Sequence, residues 1–319
     1  MNIERLPANA VLAANRISPY IRETPLEHSP FFSEQTGANV WLKLENLQVT
    51  GSFKLRGAFN KLLSMSAEDR SNGAVTASSG NHGAAVAYAM ARLGMKGVVF
   101  VPEQTSVVKV DMIRRAGANV QFFGTDGLDT ETRAREYAAE HGMYYVSPYN
   151  DADVIAGQGS CGVEIARQTT RLDALFVAVG GGGLISGTAG FLRSAFPGLR
   201  TIGCQPAASA VMAESVRRGE ILELPSSPTL SDGTAGGIEP AAITFELCQQ
   251  LVRDFVLVSE EQIAAAMRDF IDAHHMLLEG AAGVALAGLR KKATEIQGKN
   301  VIVIICGANI SRETLRKII

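Results

Sequence analysis

Short apolar runs alternate with longer segments of helical period along the chain, and this alternation constrains the possible folds more than any other sequence feature. The apolar runs, rich in β-branched residues, are 40–44, 74–77, 97–101, 120–123, 174–179, 201–204, 255–258 and 301–306. Each of them indicates a β-strand. The clearest segments between them are 81–93, 131–140, 152–168, 183–195 and 260–274, all long enough for crossover helices. The pattern predicts an α/β fold with mostly parallel open sheets flanked by helices, in which ligands bind at the carboxyl ends of strands.

The length of the chain bounds its domain organisation. With 319 residues it exceeds the size at which one core usually stops growing, so one large domain or two closely joined domains are expected. No internal repeat, low-complexity tract or obvious linker marks a boundary. Because the strand and helix patterns from 50 to 146 are self-sufficient, we predict a small domain of residues 50–146 inserted in a large domain of residues 1–49 and 147–319.

Composition and charge exclude several classes of protein. Hydrophobic residues make up 46% and charged residues 19% of the chain, as in ordinary globular proteins, and the net charge is −2. No basic field is available for a nucleic acid or an anionic membrane, and the apolar runs are far shorter than the roughly 20 residues that span a bilayer. The first residues lack a signal-peptide pattern, so a cytoplasmic protein is expected. Four cysteines without a C-x-x-C pair argue against a disulfide framework and a zinc site, and no metal is predicted.

The segment 50–58, Thr-Gly-Ser-Phe-Lys-Leu-Arg-Gly-Ala, predicts a Gly/Ser turn that opens a helix. Its lysine, Lys54, falls in the first helical turn, where the helix dipole disfavours a cation and lowers the pKa of an amine. One interpretation is an activated amine that forms a Schiff base with an aldehyde. The other is a solvated surface lysine, which is the usual state of a single lysine.

The segment 76–83, Thr-Ala-Ser-Ser-Gly-Asn-His-Gly, follows one predicted strand and precedes an Ala-rich helix. Small hydroxyl residues and glycines at such a turn leave backbone N–H groups free at a helix N-terminus, where a carboxylate or phosphate can bind. In the alternative interpretation, Ser78, Ser79 and Asn81 only cap the helix. His82 is either an acid/base group or a plain hydrogen-bond partner.

Four consecutive glycines, Gly180 to Gly183, follow the strand predicted at 174–179. Glycine loses more conformational freedom on folding than other residues, so this run indicates that something approaches the backbone closely. A phosphate held by successive N–H groups fits best, and a tight turn packed on its own helix is the alternative. No G-x-G-x-x-G spacing and no G-x-x-x-x-G-K-[ST] motif is present, which weakens an NAD-dependent oxidoreductase or nucleotide-binding interpretation.

The predicted strand 301–306 ends at Cys306 and runs into the turn Gly307-Ala308-Asn309. A cysteine at the carboxyl end of such a strand is positioned for a ligand site. On its own, however, it is more often a small buried hydrophobic residue.

Taken together, these stretches resemble the β-family, or fold-type II, of pyridoxal-phosphate enzymes, specifically the threonine/serine dehydratases and serine racemases. The likeness covers nearly the whole chain and is carried by 51–58, 78–83, Ile155-Ala156-Gly157-Gln158-Gly159, 180–183, and Glu279 with Ala282-Gly283. It implies a tryptophan synthase β-like two-domain fold, with the active site in the cleft between the domains. It also implies pyridoxal 5'-phosphate as cofactor and a homodimer.

The resemblance assigns roles to individual residues. Lys54 is similar to the lysine that holds the cofactor as a Schiff base and also acts as catalytic base, with Phe53 packed on the ring and Asn81 bonded to its 3-hydroxyl. Gly180, Gly181, Gly182, Gly183 and Leu184 correspond to the phosphate cradle, and Cys306 to the partner of the pyridine nitrogen. Ser78, Ser79, Gly80 and His82 correspond to residues that hold the substrate carboxylate.

The activity implied is dehydrative deamination of a β-hydroxy amino acid: threonine, serine or 3-hydroxyaspartate. Because the racemases resembled here use a serine opposite the lysine, the alternative is a racemase with Lys54 and Ser79 as its two acid/base groups. Gln205 and Val211 stand where those racemases offer acidic residues to a divalent cation, which speaks against that metal site. The chain ends soon after Ser311, so feedback inhibition through a regulatory domain is not expected. A non-catalytic amino-acid sensor is a further class, which the presence of Lys54 disfavours.

Overall fold

The structure is a computed structural model that describes residues 1–125 and 127–319. Its strands are β1 (Leu26–His28), β2 (Asn39–Lys43), β3 (Ala74–Ala77), β4 (Gly97–Val101), β5 (Asn119–Phe122), β6 (Tyr144–Tyr145), β7 (Ala174–Ala178), β8 (Arg200–Pro206), β9 (Asp254–Val258) and β10 (Asn300–Ile304). Its helices are α1 (Leu6–Ile17), α2 (Pro30–Thr36), α3 (Lys54–Ser64), α4 (Ala67–Asn72), α5 (Asn81–Arg92), α6 (Val107–Arg115), α7 (Gly127–Glu140), α8 (Ala152–Gln168), α9 (Gly183–Ala195), α10 (Val211–Arg218), α11 (Ile243–Leu251), α12 (Glu260–His274), α13 (Gly280–Lys291), α14 (Ala293–Ile296) and α15 (Arg312–Ile318).

The strands form two sheets. The larger has the order β1-β2-β10-β7-β8-β9, and all its pairs are parallel except β1 with β2. The smaller has the order β5-β4-β3-β6 and is entirely parallel. This arrangement confirms the predicted α/β fold with mostly parallel sheets. No helix in the described ranges is both long and apolar enough to cross a membrane.

All eight predicted apolar runs coincide with strands whose ends lie within two residues of the prediction. Of the five predicted helices, three coincide with α8, α9 and α12, and the one predicted at 81–93 matches α5 to within one residue. Helix α7 begins four residues before the predicted start at 131. The short strands β1 and β6 were not predicted, because two or three residues are too few to show a periodic pattern.

The smaller sheet lies wholly within residues 74–145, and the larger takes its strands from 26–43 and 174–304. This separation is compatible with an inserted domain, and the boundary at 50 and 146 stays a prediction. Each sheet has its own apolar core: β7 is buried along its whole length in the larger one, and Val99 and Val101 of β4 are buried in the smaller one.

Helix α3, which begins at Lys54, packs closely against α8, and this contact fixes its position. A Cβ atom at Gly157 would lie only 2.6 Å from both the Arg56 oxygen and the Gly57 Cα, so the two backbones touch. Side chains larger than hydrogen at these positions would force the helices apart. Gly157 of the α8 motif thus fixes the position of the lysine-bearing helix.

Four buried charges lie beside this crossing. Arg56 pairs with Glu45 at 2.7 Å and with Glu164 at 2.6 Å, and Lys43 also pairs with Glu164 at 2.7 Å. The Arg56 and Lys43 side chains are fully buried. Their two positive charges are therefore balanced by Glu45 and Glu164 inside the protein. The Arg56 guanidinium stabilises the position of α3 through these ion pairs.

Candidate active site

Lys54 is the first residue of α3, as the sequence predicts. The turn that carries it is attached to the end of β10: Ser52 bridges Gly307, and the Phe53 N–H donates to the Cys306 oxygen at 3.1 Å. The Lys54 Nζ donates to the backbone oxygen of Pro148 at 2.8 Å. The lysine thus lies at the carboxyl end of β10, where an α/β fold binds its ligands.

Burial lowers the pKa of the Lys54 amine to about 8, against the opposing attraction of Glu279 and Cys306. Burial removes water from the ammonium form, which is the form that needs it most. With that pKa, about a tenth of the amines are unprotonated at pH 7. The lysine is therefore equipped to act as a nucleophile and as a base, and the interpretation as a solvated surface residue is wrong.

The turn between β3 and α5 carries the second motif. Gly80 is the N-cap of α5 and no side chain caps the helix, so the capping role considered for Ser79 is absent. The Ser78 hydroxyl accepts from the Gly80 N–H at 3.2 Å and stabilises the turn. The first N–H groups of α5 have no partner within the helix, which leaves them available to a carboxylate.

Asn81 is held by side chains on both ends of its amide. Its Nδ2 donates to the Glu279 Oε2 at 2.7 Å, and its Oδ1 accepts from the Asn309 Nδ2 at 2.7 Å. The Asn309 Nδ2 also donates to the Thr50 oxygen at 2.9 Å. Asn309 therefore links the lysine turn to the α5 turn, a role for which the sequence contains no signal.

His82 is buried and neutral. Its Nε2 lies 3.0 Å from the Val146 oxygen, and since a carbonyl can only accept, that nitrogen carries the proton. Burial, together with the charge of Lys54, lowers the pKa of the imidazole to about 3. The other nitrogen, Nδ1, is an acceptor and cannot donate to a carboxylate, so any contact of His82 with a substrate carboxylate must use its backbone N–H.

The glycine run forms the turn from β7 into α9. Gly182, the N-cap, has φ +83°, a left-handed conformation that favours glycine, and no side chain caps the helix. A Cβ at Gly181 would lie 2.3 Å from the Tyr149 ring, and one at Gly180 would lie 3.0 Å from the Thr234 Cα. The turn is therefore packed closely on one side while the helix N-terminus keeps unpaired N–H groups for an anion.

Cys306 and Glu279 lie together beside the lysine turn. The Cys306 Sγ is 3.8 Å from the Glu279 Oε1, and burial raises the pKa of the thiol well above its ordinary value, so it is neutral. Burial also raises the pKa of Glu279 to about 7, opposed by the hydrogen bond from Asn81. A neutral thiol is a weak donor, which suits a pyridine nitrogen that stays largely unprotonated.

Both polar atoms of the Gln205 side-chain amide form hydrogen bonds with the backbone. Its Nε2 donates to the Val179 oxygen at 2.9 Å, and its Oε1 accepts from the Ala213 N–H at 2.7 Å. Val211 begins α10 and is buried. Across residues 1–125 and 127–319, no three His, Cys, Asp or Glu side chains are grouped as metal ligands.

The residues of this site fit pyridoxal phosphate. A buried amine with a lowered pKa can bind an aldehyde, and an uncapped helix N-terminus with a glycine turn can bind its phosphate. The buried hydroxyls of Thr50 and Ser52, next to the lysine, have no hydrogen-bond partner. Buried polar atoms without partners are rare in proteins, which indicates a group that completes the site.

The fold and the site together define a pyridoxal-phosphate enzyme of fold-type II, and comparison with known proteins agrees. The sequence profile of the pyridoxal-phosphate dependent enzyme family matches residues 17–307, so the chain belongs to this family. The resemblance drawn from the motifs is confirmed, and the cofactor of the family is pyridoxal phosphate.

Curated relatives are similar over most of the chain. The L-threonine dehydratase biosynthetic IlvA of Haemophilus influenzae is 37% identical over 314 residues, which are 97% of this chain and 60% of that protein. The chain thus spans well under two thirds of that relative. The L-threonine ammonia-lyase of Geobacter sulfurreducens is 38% identical over 308 residues, covering 96% of this chain and 76% of that protein.

Solved structures are similar over the whole fold. The processed form of threonine deaminase isoform 2 from Solanum lycopersicum has a TM-score of 0.93 at 34% identity and covers 100% of this chain and 93% of its own. Maize serine racemase has a TM-score of 0.92 at 28% identity and covers 98% of this chain and 95% of its own. Both activities named in the motif analysis therefore occur among the structural neighbours.

Proposed function

We propose that this protein is a pyridoxal-phosphate-dependent ammonia-lyase that converts a β-hydroxy amino acid into a 2-oxo acid and ammonia. The observation that carries the proposal is the partly buried amine of Lys54 at the carboxyl end of β10, which donates to the Pro148 oxygen at 2.8 Å and whose pKa burial lowers to about 8. The names of the relatives, threonine dehydratase and threonine ammonia-lyase, support the same activity.

Each part of the site has a task in this reaction. Bound pyridoxal phosphate supplies an electron sink for the Cα of an attached amino acid. Lys54, once its Nζ is unprotonated, removes the Cα proton. The N–H groups at the start of α5, with the hydroxyl of Ser78, hold the substrate carboxylate. The β-hydroxyl leaves with a proton as water, and the enamine released takes up water to give the 2-oxo acid and ammonia.

A cavity lies beside this turn, and Lys54 and Cys306 are not among the residues that line it. This cavity of about 260 Å³ is lined by Ala77, Ser78, Ser79, Pro102, Gly127 and Thr130. These residues offer hydroxyls, a methyl group and a proline ring, whereas a second substrate carboxylate requires a cation or a cluster of donors. Arg56 cannot supply it, because its guanidinium is paired with Glu45 and Glu164. Together with the relatives named for threonine, this lining leads us to favour threonine and serine over 3-hydroxyaspartate.

The experiment that tests this function begins with the visible absorbance of the purified protein with pyridoxal phosphate, before and after borohydride. Ammonia and 2-oxo acid are then measured with L-threonine, L-serine, D-serine and the 3-hydroxyaspartate isomers. We expect a visible band that reduction removes, an adduct on the peptide bearing Lys54, and turnover of threonine or serine. Turnover of 3-hydroxyaspartate alone would refute the substrate class, and amino-acid binding without ammonia would support the sensor interpretation.

The titration of Lys54 predicts how fast the apoprotein takes up its cofactor. Only the unprotonated amine attacks an aldehyde, so the rate should rise about tenfold per pH unit below pH 8 and level off above it. The appearance of the visible band at pH 6 to 9 measures this rate. Binding of 4-deoxypyridoxine 5'-phosphate, which has no aldehyde, is the control, and an equally steep profile for that analogue would contradict the assignment.

A racemase is the second candidate, and the position of Ser79 favours it. Ser79 lines the cavity beside Ser78, and the N-cap position of α5 belongs to Gly80. A hydroxyl that is not used for capping is available to exchange a proton with a substrate. We propose racemisation as an accompanying activity, with Lys54 and Ser79 acting as the two acid/base groups.

Replacing Ser79 with alanine separates the two activities. We expect Ser79→Ala to abolish any conversion of L-serine into D-serine while ammonia release persists, because elimination requires a base on one side only. Chiral chromatography and an ammonia assay on the same samples measure both rates. Ser194→Ala, which removes an exposed hydroxyl at the end of α9, is the matched control and should leave both rates unchanged. Equal loss of both activities in Ser79→Ala would assign Ser79 to substrate binding instead.

We also propose that the protein is a homodimer, as its family resemblance implies. Light scattering of the purified protein determines the mass directly, and a monomer of 33.9 kDa would refute the proposal. The cytoplasmic location stays a prediction.

A further inference from the structure

The turn 147–150, between β6 and α8, contacts both parts of the candidate cofactor site. The Pro148 oxygen accepts from the Lys54 Nζ at 2.8 Å. The Tyr149 ring packs on the glycine run, since a Cβ at Gly181 would lie 2.3 Å from its Cδ1 and one at Gly183 would lie 3.1 Å from its Cβ. A shift of this turn would therefore move the acceptor of the lysine and the support of the glycines together.

Little within the turn itself fixes its position. The residues on either side of it are fixed: the Val146 oxygen accepts from the Thr76 hydroxyl at 2.9 Å, and Asp151 pairs with Lys61 at 2.8 Å. The Ser147 hydroxyl accepts from the Asn150 N–H at 3.0 Å, which closes the turn locally without anchoring it to the rest of the protein. Between these two fixed ends, the turn is held by a residue from another segment.

Glu239, in the segment before α11, supplies that anchor. Its carboxylate accepts from the Ser147 hydroxyl at 3.4 Å and from the Asn150 Nδ2 at 3.1 Å. Its backbone N–H donates to the Tyr149 hydroxyl at 2.8 Å. One residue thus bonds to three of the four residues of the turn.

The charge of Glu239 is itself held in place. Arg135 of α7 donates to its Oε2 at 2.9 Å, and the Glu239 side chain is only 21% exposed. Hydrogen bonds to an ionised carboxylate are stronger and shorter than those to a neutral group. Asn150 also bonds the turn to α11, because its Oδ1 accepts from the N–H of Ile243, the first residue of that helix, at 2.9 Å.

We propose that Glu239 is a positioning residue of the active site, which holds the turn 147–150 so that the Pro148 carbonyl orients Lys54 and Tyr149 supports the glycine turn. None of its hydrogen bonds or ion pairs reaches Lys54 or the glycines, so it acts through the turn. The proposal rests on the assignment of Lys54 and Gly180 to Gly183 as cofactor-binding residues.

The test compares cofactor binding by apoproteins of the wild type, Glu239→Ala and Glu239→Gln. Two ligands are titrated: pyridoxal phosphate, which reports on both Lys54 and the glycine turn, and 4-deoxypyridoxine 5'-phosphate, which cannot bond to Lys54. We expect Glu239→Ala to weaken pyridoxal phosphate about tenfold or more, the loss expected for a charged group with several partners. The analogue should lose less, because only the glycine turn affects it.

Glu239→Gln retains one acceptor oxygen and should restore part of the affinity. Glu140→Ala is the matched control, because Glu140 pairs with Arg133 on the surface of α7 and makes no contact with the turn. It should bind both ligands like the wild type. Thermal unfolding of each variant establishes that it is folded. If Glu239→Ala does not fold, the cofactor affinity of Glu239→Gln is compared with that of the wild type instead.

The outcomes separate this proposal from the proposed function. A wild type that binds no pyridoxal phosphate refutes the assignment of the cofactor site. A wild type that binds it, with Glu239→Ala and Glu239→Gln within twofold of its affinity, refutes the role of Glu239 alone. A third outcome is that both variants lose affinity equally for both ligands and unfold at lower temperatures. This would show that Glu239 has a general structural role and would also overturn the proposal.

Discussion

Replacing Lys54 with alanine should abolish ammonia release from every substrate. Under the proposed function, the variant loses the amine that binds the cofactor and the base that removes the Cα proton. Loss of a base alone costs about a hundredfold to ten-thousandfold in rate. The expected fall is therefore at least a thousandfold. Steady-state ammonia release measures it, and mass spectrometry after borohydride should find no adduct on the peptide around residue 54.

The matched control is Lys317→Ala, in which an exposed lysine paired with Glu313 on α15 is lost. Its activity and its borohydride adduct should equal those of the wild type. If Lys54→Ala released ammonia as fast as Lys317→Ala, the assignment of Lys54 as catalytic base would be wrong.

Replacing Arg56 with methionine should lower the free energy of unfolding by about 3–5 kcal/mol, the usual cost of removing one partner from a buried ion pair. The variant leaves Glu45 and Glu164 buried with only Lys43 to balance them. Total stabilities are about 5–15 kcal/mol, so the loss is large. Urea unfolding, followed by circular dichroism, measures it.

Arg133→Met is the control for this experiment. Arg133 pairs with Glu136 and Glu140, both more than half exposed, and such surface pairs contribute about 0–1 kcal/mol. A loss in Arg56→Met no larger than in Arg133→Met would show that the buried charges do not stabilise the lysine-bearing helix.

The fold could be predicted from the sequence because its signals are local. Runs such as 97–101 and 174–179 are buried in parallel strands, and burial on both sides requires continuous apolar residues. Helices such as α8 and α9 follow from periodicity within a single segment. The strand β6 could not be predicted this way, because its two residues are a strand only through their pairing with β3.

The chemistry-bearing residues were also found locally, through motifs. Lys54 opens its helix and the glycine run lies between β7 and α9, where the sequence predicts them. The roles assigned to these residues by family resemblance stay predictions. His82 shows the limit of this approach: the structure gives its Nε2 a bond to the Val146 oxygen, which the motif does not reveal, and its role at the substrate carboxylate stays a prediction.

The sequence by itself determined the α/β class, the order of most strands and helices, and the family, because each depends on residues that are neighbours in the chain. Only the tertiary structure decided what surrounds Lys54. The Pro148 oxygen lies 94 residues away in sequence, and Glu239 lies 89 residues from Asn150. A backbone carbonyl has no identity in the sequence, and a single glutamate in an irregular segment resembles any surface residue. Such contacts exist only when packing brings distant segments together, and so only the folded chain reveals them.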